Sequence, residues 1–116
     1  MEEKLSLGIN EIEIYSKKYG ARFTRALKTV DAGKVKKYVV KDAKIERWIV
    51  VGKEREYLIV DNIFCSCFDF FHKVLQVQET DRCYHLLAKQ IAEITQQFDV
   101  IEVTFQEYQR FLQEWL

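Results

Sequence analysis

Three cysteines and one histidine constrain this chain more than any other feature. Cys65 and Cys67 flank a single residue, Cys83 and His85 flank another, and fifteen residues separate the two pairs. The chain has no other cysteine. Zinc in a closed structural site takes four nitrogen or sulfur ligands in a tetrahedron, and Cys65, Cys67, Cys83 and His85 supply such a set. A buried cysteine is often only a small apolar residue, and a lone C-x-C beside a strand would be read that way. Here all three cysteines and one of two histidines fall into paired ligand spacing within 21 residues. His72 is the competing nitrogen ligand. It sits in an aromatic-rich stretch, Phe68 to His72, and reads as an ordinary, partly buried histidine.

The short spacings carry geometric content. In an extended strand, residues two apart point the same way but lie about 6.6 Å apart. Two sulfurs that each sit about 2.3 Å from one zinc cannot be so distant, so the chain must bend around Ser66. On a helix, residues two apart point about 200° apart. Cys83 therefore belongs just before a helix, with His85 in its first turn. Three thiolates, a neutral histidine and Zn²⁺ sum to about −1, a charge that a helix N-terminus favours.

At 116 residues the chain suits a single domain, 1–116, with a real core. No apolar run approaches a membrane span, and the charged N-terminus lacks a signal-peptide core. An odd cysteine count also argues against a secreted disulfide framework. The expected location is cytoplasmic, with nucleoid association left open. Net charge is zero but unevenly spread. Residues 1–55 carry 14 basic and 8 acidic side chains, and residues 56–116 carry 4 and 10. A basic half of this kind could meet phosphates, through Arg22, Arg25, Lys28, Lys34, Lys36 and Lys37. It could equally be a solvated surface whose charges meet the acidic half.

The pattern along the chain predicts an α+β fold: a small antiparallel sheet of three to four strands carrying the zinc clamp, flanked by an N-terminal helix and two C-terminal helices. Ile9, Ile12, Tyr15, Tyr19, Phe23, Ala26, Leu27 and Val30 form a helical stripe over about 9–31. Asn10 and Glu13 resemble a capping box, Gly20 marks a bend or close contact, and Gly33 suits a left-handed cap. Val35–Lys41, Ile45–Val51 and Arg55–Asp61 read as strands, joined by Lys41–Lys44 and by a two-residue turn at Gly52-Lys53. Val74–Gln78 reads as a fourth short strand. Leu87, Ala88, Ile91, Ile94 and Phe98 mark a helix starting near Tyr84. A second capping box, Thr104 with Glu107, opens a helix over about 104–115. Its aromatic stripe, including Tyr108, Phe111 and Trp115, reads as core or as a docking face for a protein partner.

Cys65-x-Cys67 followed by Cys83-x-His85 resembles a SWIM-type zinc finger, a family defined by C-x-C followed by C-x-H. The strand Tyr57–Val60 before the first pair, Phe64, Phe68 and Phe70 around it, and the apolar helix from His85 fit the usual setting. The resemblance covers about 48–94. It implies Zn²⁺ bound by Cys65, Cys67, Cys83 and His85, and association with DNA or with other proteins. A small stand-alone chain of this type is similar to archaeal SWIM proteins and to the SWIM subunit of Shu-type recombination complexes. By that resemblance the partner would be a RecA/Rad51-like recombinase paralogue, with DNA met directly or through the partner. A homodimer stays open, and no membrane role is implied. The chain departs from common SWIM fingers in having Phe68 where a proline usually follows the first pair. Nothing in it resembles a phosphate loop, a dinucleotide fingerprint or a paired-carboxylate site, and four protein ligands leave a zinc no open position. The expectation is a non-enzymatic interaction protein, with direct DNA binding through the basic stretch as the alternative.

Overall fold

The computed structural model describes residues 7–116. Two helices open the chain, α1 (Ile9–Tyr19) and α2 (Ala21–Asp31). The single helix expected over 9–31 is broken at Gly20, which has φ 56° and ψ −122°. That conformation is open to glycine and strained for other residues, so the stripe continues across the break while the hydrogen-bonded ladder does not. Helix α1 starts two residues earlier than the Asn10–Glu13 pairing predicts: the Gly8 N–H donates to Glu11 Oε1 at 3.2 Å. Helix α2 ends in a Schellman motif, with Gly33 N–H donating to the Val30 carbonyl and Lys34 N–H to that of Thr29.

Next come β1 (Val35–Val40), β2 (Ile45–Val51), β3 (Glu56–Val60) and β4 (Phe64–Cys65). They form the expected antiparallel meander, with Val40 opposite Ile45, Val51 opposite Glu56 and Ile59 opposite Cys65. The β2–β3 turn spans four residues, 52–55, rather than two: Gly52 N–H donates to the Arg55 carbonyl at 2.9 Å. Gly52 is there for space. A Cβ on it would stand 2.5 Å from Tyr57 Cε2.

Two elements differ in kind from the expectation. Val74–Gln78 forms no strand. Phe70–Gln76 is a π-helical segment, and its bonds run along the chain, as from Val77 N–H to the His72 carbonyl at 2.9 Å. Leu75 and Val77 are both exposed rather than packed on a sheet face. The sheet gains its further strand elsewhere. After α3 (Tyr84–Thr95), β5 (Asp99–Val103) pairs parallel to β1, from Lys36 opposite Asp99 to Val40 opposite Val103. The sheet among the described residues is thus five-stranded and mixed, ordered β4-β3-β2-β1-β5. Helix α4 (Phe105–Trp115) follows, opened by the predicted box: Glu107 N–H donates to Thr104 Oγ1 at 3.2 Å, and Thr104 N–H to Glu107 Oε1 at 3.0 Å.

The sheet separates two cores. Val35, Trp48, Val50, Ile59 and Cys65 face α2 and α3, where Phe23, Ala26, Val30, Leu87 and Ile91 pack on them. Tyr38, Val40, Ile49, Leu58 and Val103 face α4, which contributes Tyr108 and Trp115. Alternation along each strand assigns neighbouring residues to opposite cores. Among the described residues, no helix is long and apolar enough to cross a membrane.

Candidate metal centre

The first ligand pair is placed by the end of a strand. Cys65 closes β4 and points into the α2–α3 core through its pairing with Ile59. The chain then bends, as the C-x-C spacing demands, while Ser66 stays pinned to β3. Its N–H donates to the Leu58 carbonyl at 3.0 Å, and its hydroxyl accepts the Leu58 N–H at 3.0 Å. Cys67 follows at the bend, where its Sγ accepts the Phe70 N–H at 3.3 Å. Cys83 is the extended N-cap of α3, with φ −81° and ψ 169°, and its Sγ accepts the Leu86 N–H at 3.5 Å. His85 lies in the first turn, where the C-x-H spacing places it.

All four side chains converge. Their candidate ligand atoms lie within 4.8 Å of one another. Relative exposures are 1% for Cys65, 5% for Cys67, 0% for Cys83 and 4% for His85, so the group is closed to solvent. Its chemistry fits a metal ion on two counts. Three sulfurs and an imidazole are a soft, borderline donor set, and both ring nitrogens of His85 are buried without a hydrogen-bond partner. A buried polar atom left unpaired is costly, and an ion at the centre of the cluster would satisfy one of them. His72 stands apart from the group. Its Nδ1 is 3.1 Å from Gln76 Oε1, and its ring stacks on Phe68.

Without an ion the three thiols share protons. Hydrogen bonds from Cys65 and Cys83 hold the Cys67 thiol far below its usual range. Cys65, hydrogen-bonded to Cys67 and Cys83 and buried, is pushed far above it. The Cys65 hydrogen bond draws Cys83 down, but the bond to Cys67 and burial outweigh it, leaving Cys83 pushed up to about 12.

Outer contacts tie this cluster to its supports. Arg22 of α2 braces both ends of the π-helical segment, 3.4 Å from Asp69 and 3.2 Å from Glu79. Lys89 of α3, only 3% exposed, donates to Asn62 Oδ1 in the β3–β4 turn and to Glu93 Oε1, each at 2.8 Å. Sequence reasoning missed both residues as supports, because Asp69, Glu79 and Asn62 are all distant from them in the chain.

Of the residues expected at a docking face, Tyr108 and Trp115 are buried. Trp115 is 0% exposed, and its indole N–H donates to Glu56 Oε1 at 3.1 Å. Tyr108 is buried, and Phe111 packs against Tyr38 and Trp115. These three rings cover the second face of the sheet and are not a free docking face. Four of the six basic residues are engaged by other side chains. Arg22 is paired as described, Lys36 pairs with Asp99 at 3.0 Å and Lys37 with Glu46 at 3.2 Å. Arg25 lies over the Tyr84 ring. Lys36 and Lys37 are strand neighbours and leave opposite faces. Lys28 and Lys34 are exposed.

A protein of Archaeoglobus fulgidus described only as uncharacterized is 32% identical over 115 residues, which cover 97% of this chain and 92% of that one. The two belong to one family. The match spans the stretch of this chain that holds the three cysteines and His85, since only about three residues at the ends lie outside it. No family model matches the chain, and no solved structure matches it.

Proposed function

We propose that the cluster is a structural zinc centre and that the chain is a non-catalytic, SWIM-type interaction protein. The convergence of four buried ligands carries this reading. A catalytic zinc keeps a position open to water or substrate, whereas this donor set fills a tetrahedron and is shut off from solvent. What the ion supplies is attachment: it joins the end of β4, the bend before the π-helical segment and the start of α3. These are three elements that short-range hydrogen bonds alone hold weakly.

The wider role rests on the C-x-C and C-x-H resemblance. In that reading the protein is a cytoplasmic accessory subunit in DNA recombination or repair that docks a RecA/Rad51-like partner. The alternative, direct DNA binding through the basic N-terminal half, is disfavoured by the ion pairs that engage Arg22, Lys36 and Lys37. Phosphate binding would show a steep salt dependence, and its absence would remove that alternative.

Elemental analysis of the native protein tests the centre. About one zinc per chain is expected, lost in Cys83→Ala, with loss of folded structure, because structural zinc peptides gain roughly 10–16 kcal/mol of apparent binding energy at neutral pH. Metal-free native protein whose stability is unchanged in Cys83→Ala would overturn the reading.

A further inference from the structure

His85 is the ligand whose orientation needs explaining. A metal-bound histidine ordinarily donates its second ring N–H to a carboxylate, a carbonyl or water, which fixes the ring. Here neither ring nitrogen has a hydrogen-bond partner in the protein. With one nitrogen on an ion, the other would still have none.

What surrounds the imidazole is aromatic. The Tyr84 ring lies 3.9 Å from it, centroid to centroid, at an interplanar angle of 36°. The Tyr57 ring lies at 4.3 Å and 35°. Both rings lie tilted against the imidazole at van der Waals distance. Each tyrosine is itself held. The Arg25 guanidinium sits 4.1 Å from the Tyr84 centroid, and that of Arg55 sits 5.6 Å from Tyr57. Arg55 also donates to the Trp115 carbonyl at 3.3 Å. The missing Cβ of Gly52 leaves Tyr57 its seat, since that atom would stand 2.5 Å from Tyr57 Cε2. Arg25, Tyr84, His85, Tyr57 and Arg55 thus form one continuous run of ring and guanidinium contacts, from α2 through the cluster to the β2–β3 turn.

We propose that Tyr57 and Tyr84 are positioning residues for metal binding. Their ring faces hold the His85 imidazole in its ligating orientation and do the work that a hydrogen bond to the second nitrogen does elsewhere. This rests on the reading of the cluster as a metal centre. It also gives the glycine at position 52 a use beyond the close approach of the Arg55 carbonyl, from which a Cβ would stand 3.0 Å. Ordinary core filling would need apolar volume at positions 57 and 84, whereas positioning needs flat faces.

The experiment uses the full chain and Co²⁺, whose visible bands report ligand geometry, titrated against a chromophoric chelator. Tyr57→Phe and Tyr84→Phe keep the ring and should bind within about twofold of the parent. Tyr57→Leu and Tyr84→Leu keep apolar volume and lose the face. They should bind about 10–100-fold more weakly, the range for lost outer contacts to a ligating histidine, with shifted d–d bands. Gly52→Ala, which presses on the Tyr57 ring and on the Arg55 carbonyl without changing either residue, should weaken binding in the same direction and is a second route to the Tyr57 contact besides the leucine variants. Leucine variants that bind with the parent's affinity and spectrum would overturn the positioning role and leave the metal centre standing. Parental affinity in Gly52→Ala would overturn the part assigned to Tyr57. A parent that binds no Co²⁺ would remove the metal centre itself, and the positioning role with it.

Discussion

Metal binding at this site should depend steeply on pH, and the structure sets the slope. In the metal-free protein Cys67 is the first of the three thiols to ionise, its pKa lowered by hydrogen bonds from Cys65 and Cys83 and by the Phe70 N–H. Cys65 and Cys83 keep their protons at neutral pH, because their pKa values are raised, that of Cys83 to about 12. An ion bound by three thiolates must therefore displace about two protons. Protons compete with the metal, so affinity rises with pH. Each displaced proton contributes a factor of ten per pH unit, which makes the expected slope about a hundredfold per unit, or roughly 2.7 kcal/mol. The slope persists while both thiols remain protonated in the free protein. Calorimetric titration with Zn²⁺ measures the number directly: in buffers of equal pH but different ionisation enthalpy, the observed heat varies in proportion to the protons released. A release near zero would mean that the thiolates are already formed in the metal-free protein. A release near three would mean that Cys67 is not ionised there. Either result would refute the proton sharing described above.

Two substitutions test the fold around the centre. Trp115→Ala removes a fully buried ring and should cost about 3–5 kcal/mol in urea unfolding; a loss under about 1 kcal/mol would mean that α4 is not part of the core. Gly20→Ala should destabilise by about 1–3 kcal/mol, because φ 56° with ψ −122° strains any other residue. A continuous helix would instead gain about 1 kcal/mol from the same change, so the sign alone decides between a broken and an unbroken segment.

The parts of this structure that were legible in advance are those fixed by local chemistry. The Thr104–Glu107 box, the Gly33 cap and the meander all rest on contacts between residues close in sequence. The ligand geometry was legible too, because two sulfurs on one ion cannot tolerate an extended C-x-C, and a helix cannot aim residues two apart at one point. The errors share a different cause. Asp99–Val103 is a strand because β1 offers it a parallel edge some sixty residues away in sequence, and nothing local in five residues between two helices announces that. Val74–Gln78 reads as a strand, but its first three residues belong to the π-helical segment, whose start is held by Arg22 and the Cys67 bend. The aromatic stripe of α4 was read correctly as a stripe. Whether it was core or surface depended on the second face of the sheet, which a single helix pattern cannot reveal.

The two tryptophans, one in each core, make it testable whether the metal centre governs only its own side of the sheet. Trp48 lies in the core of the cluster, against Phe98 at 4.7 Å, and Trp115 lies in the opposite core, against Tyr38 at 5.0 Å. The cores share strands rather than side chains. Ser66, between the first two ligands, exchanges both of its hydrogen bonds with the backbone of Leu58, whose side chain faces α4. Loosening the ligand loop therefore frees backbone groups on the strand that supports the other core. A buried polar group left unpaired costs roughly 1–3 kcal/mol, a large share of the 5–15 kcal/mol by which a domain is stable. Removing the metal with a chelator should then abolish the near-ultraviolet signals of both rings in one transition. Trp48→Phe isolates the Trp115 signal, and Trp115→Phe isolates that of Trp48. Coincident loss in the two variants is the expected result. A Trp115 signal that stays native while the Trp48 signal collapses would mean that the sheet insulates the α4 core and that the ion holds only the ligand side.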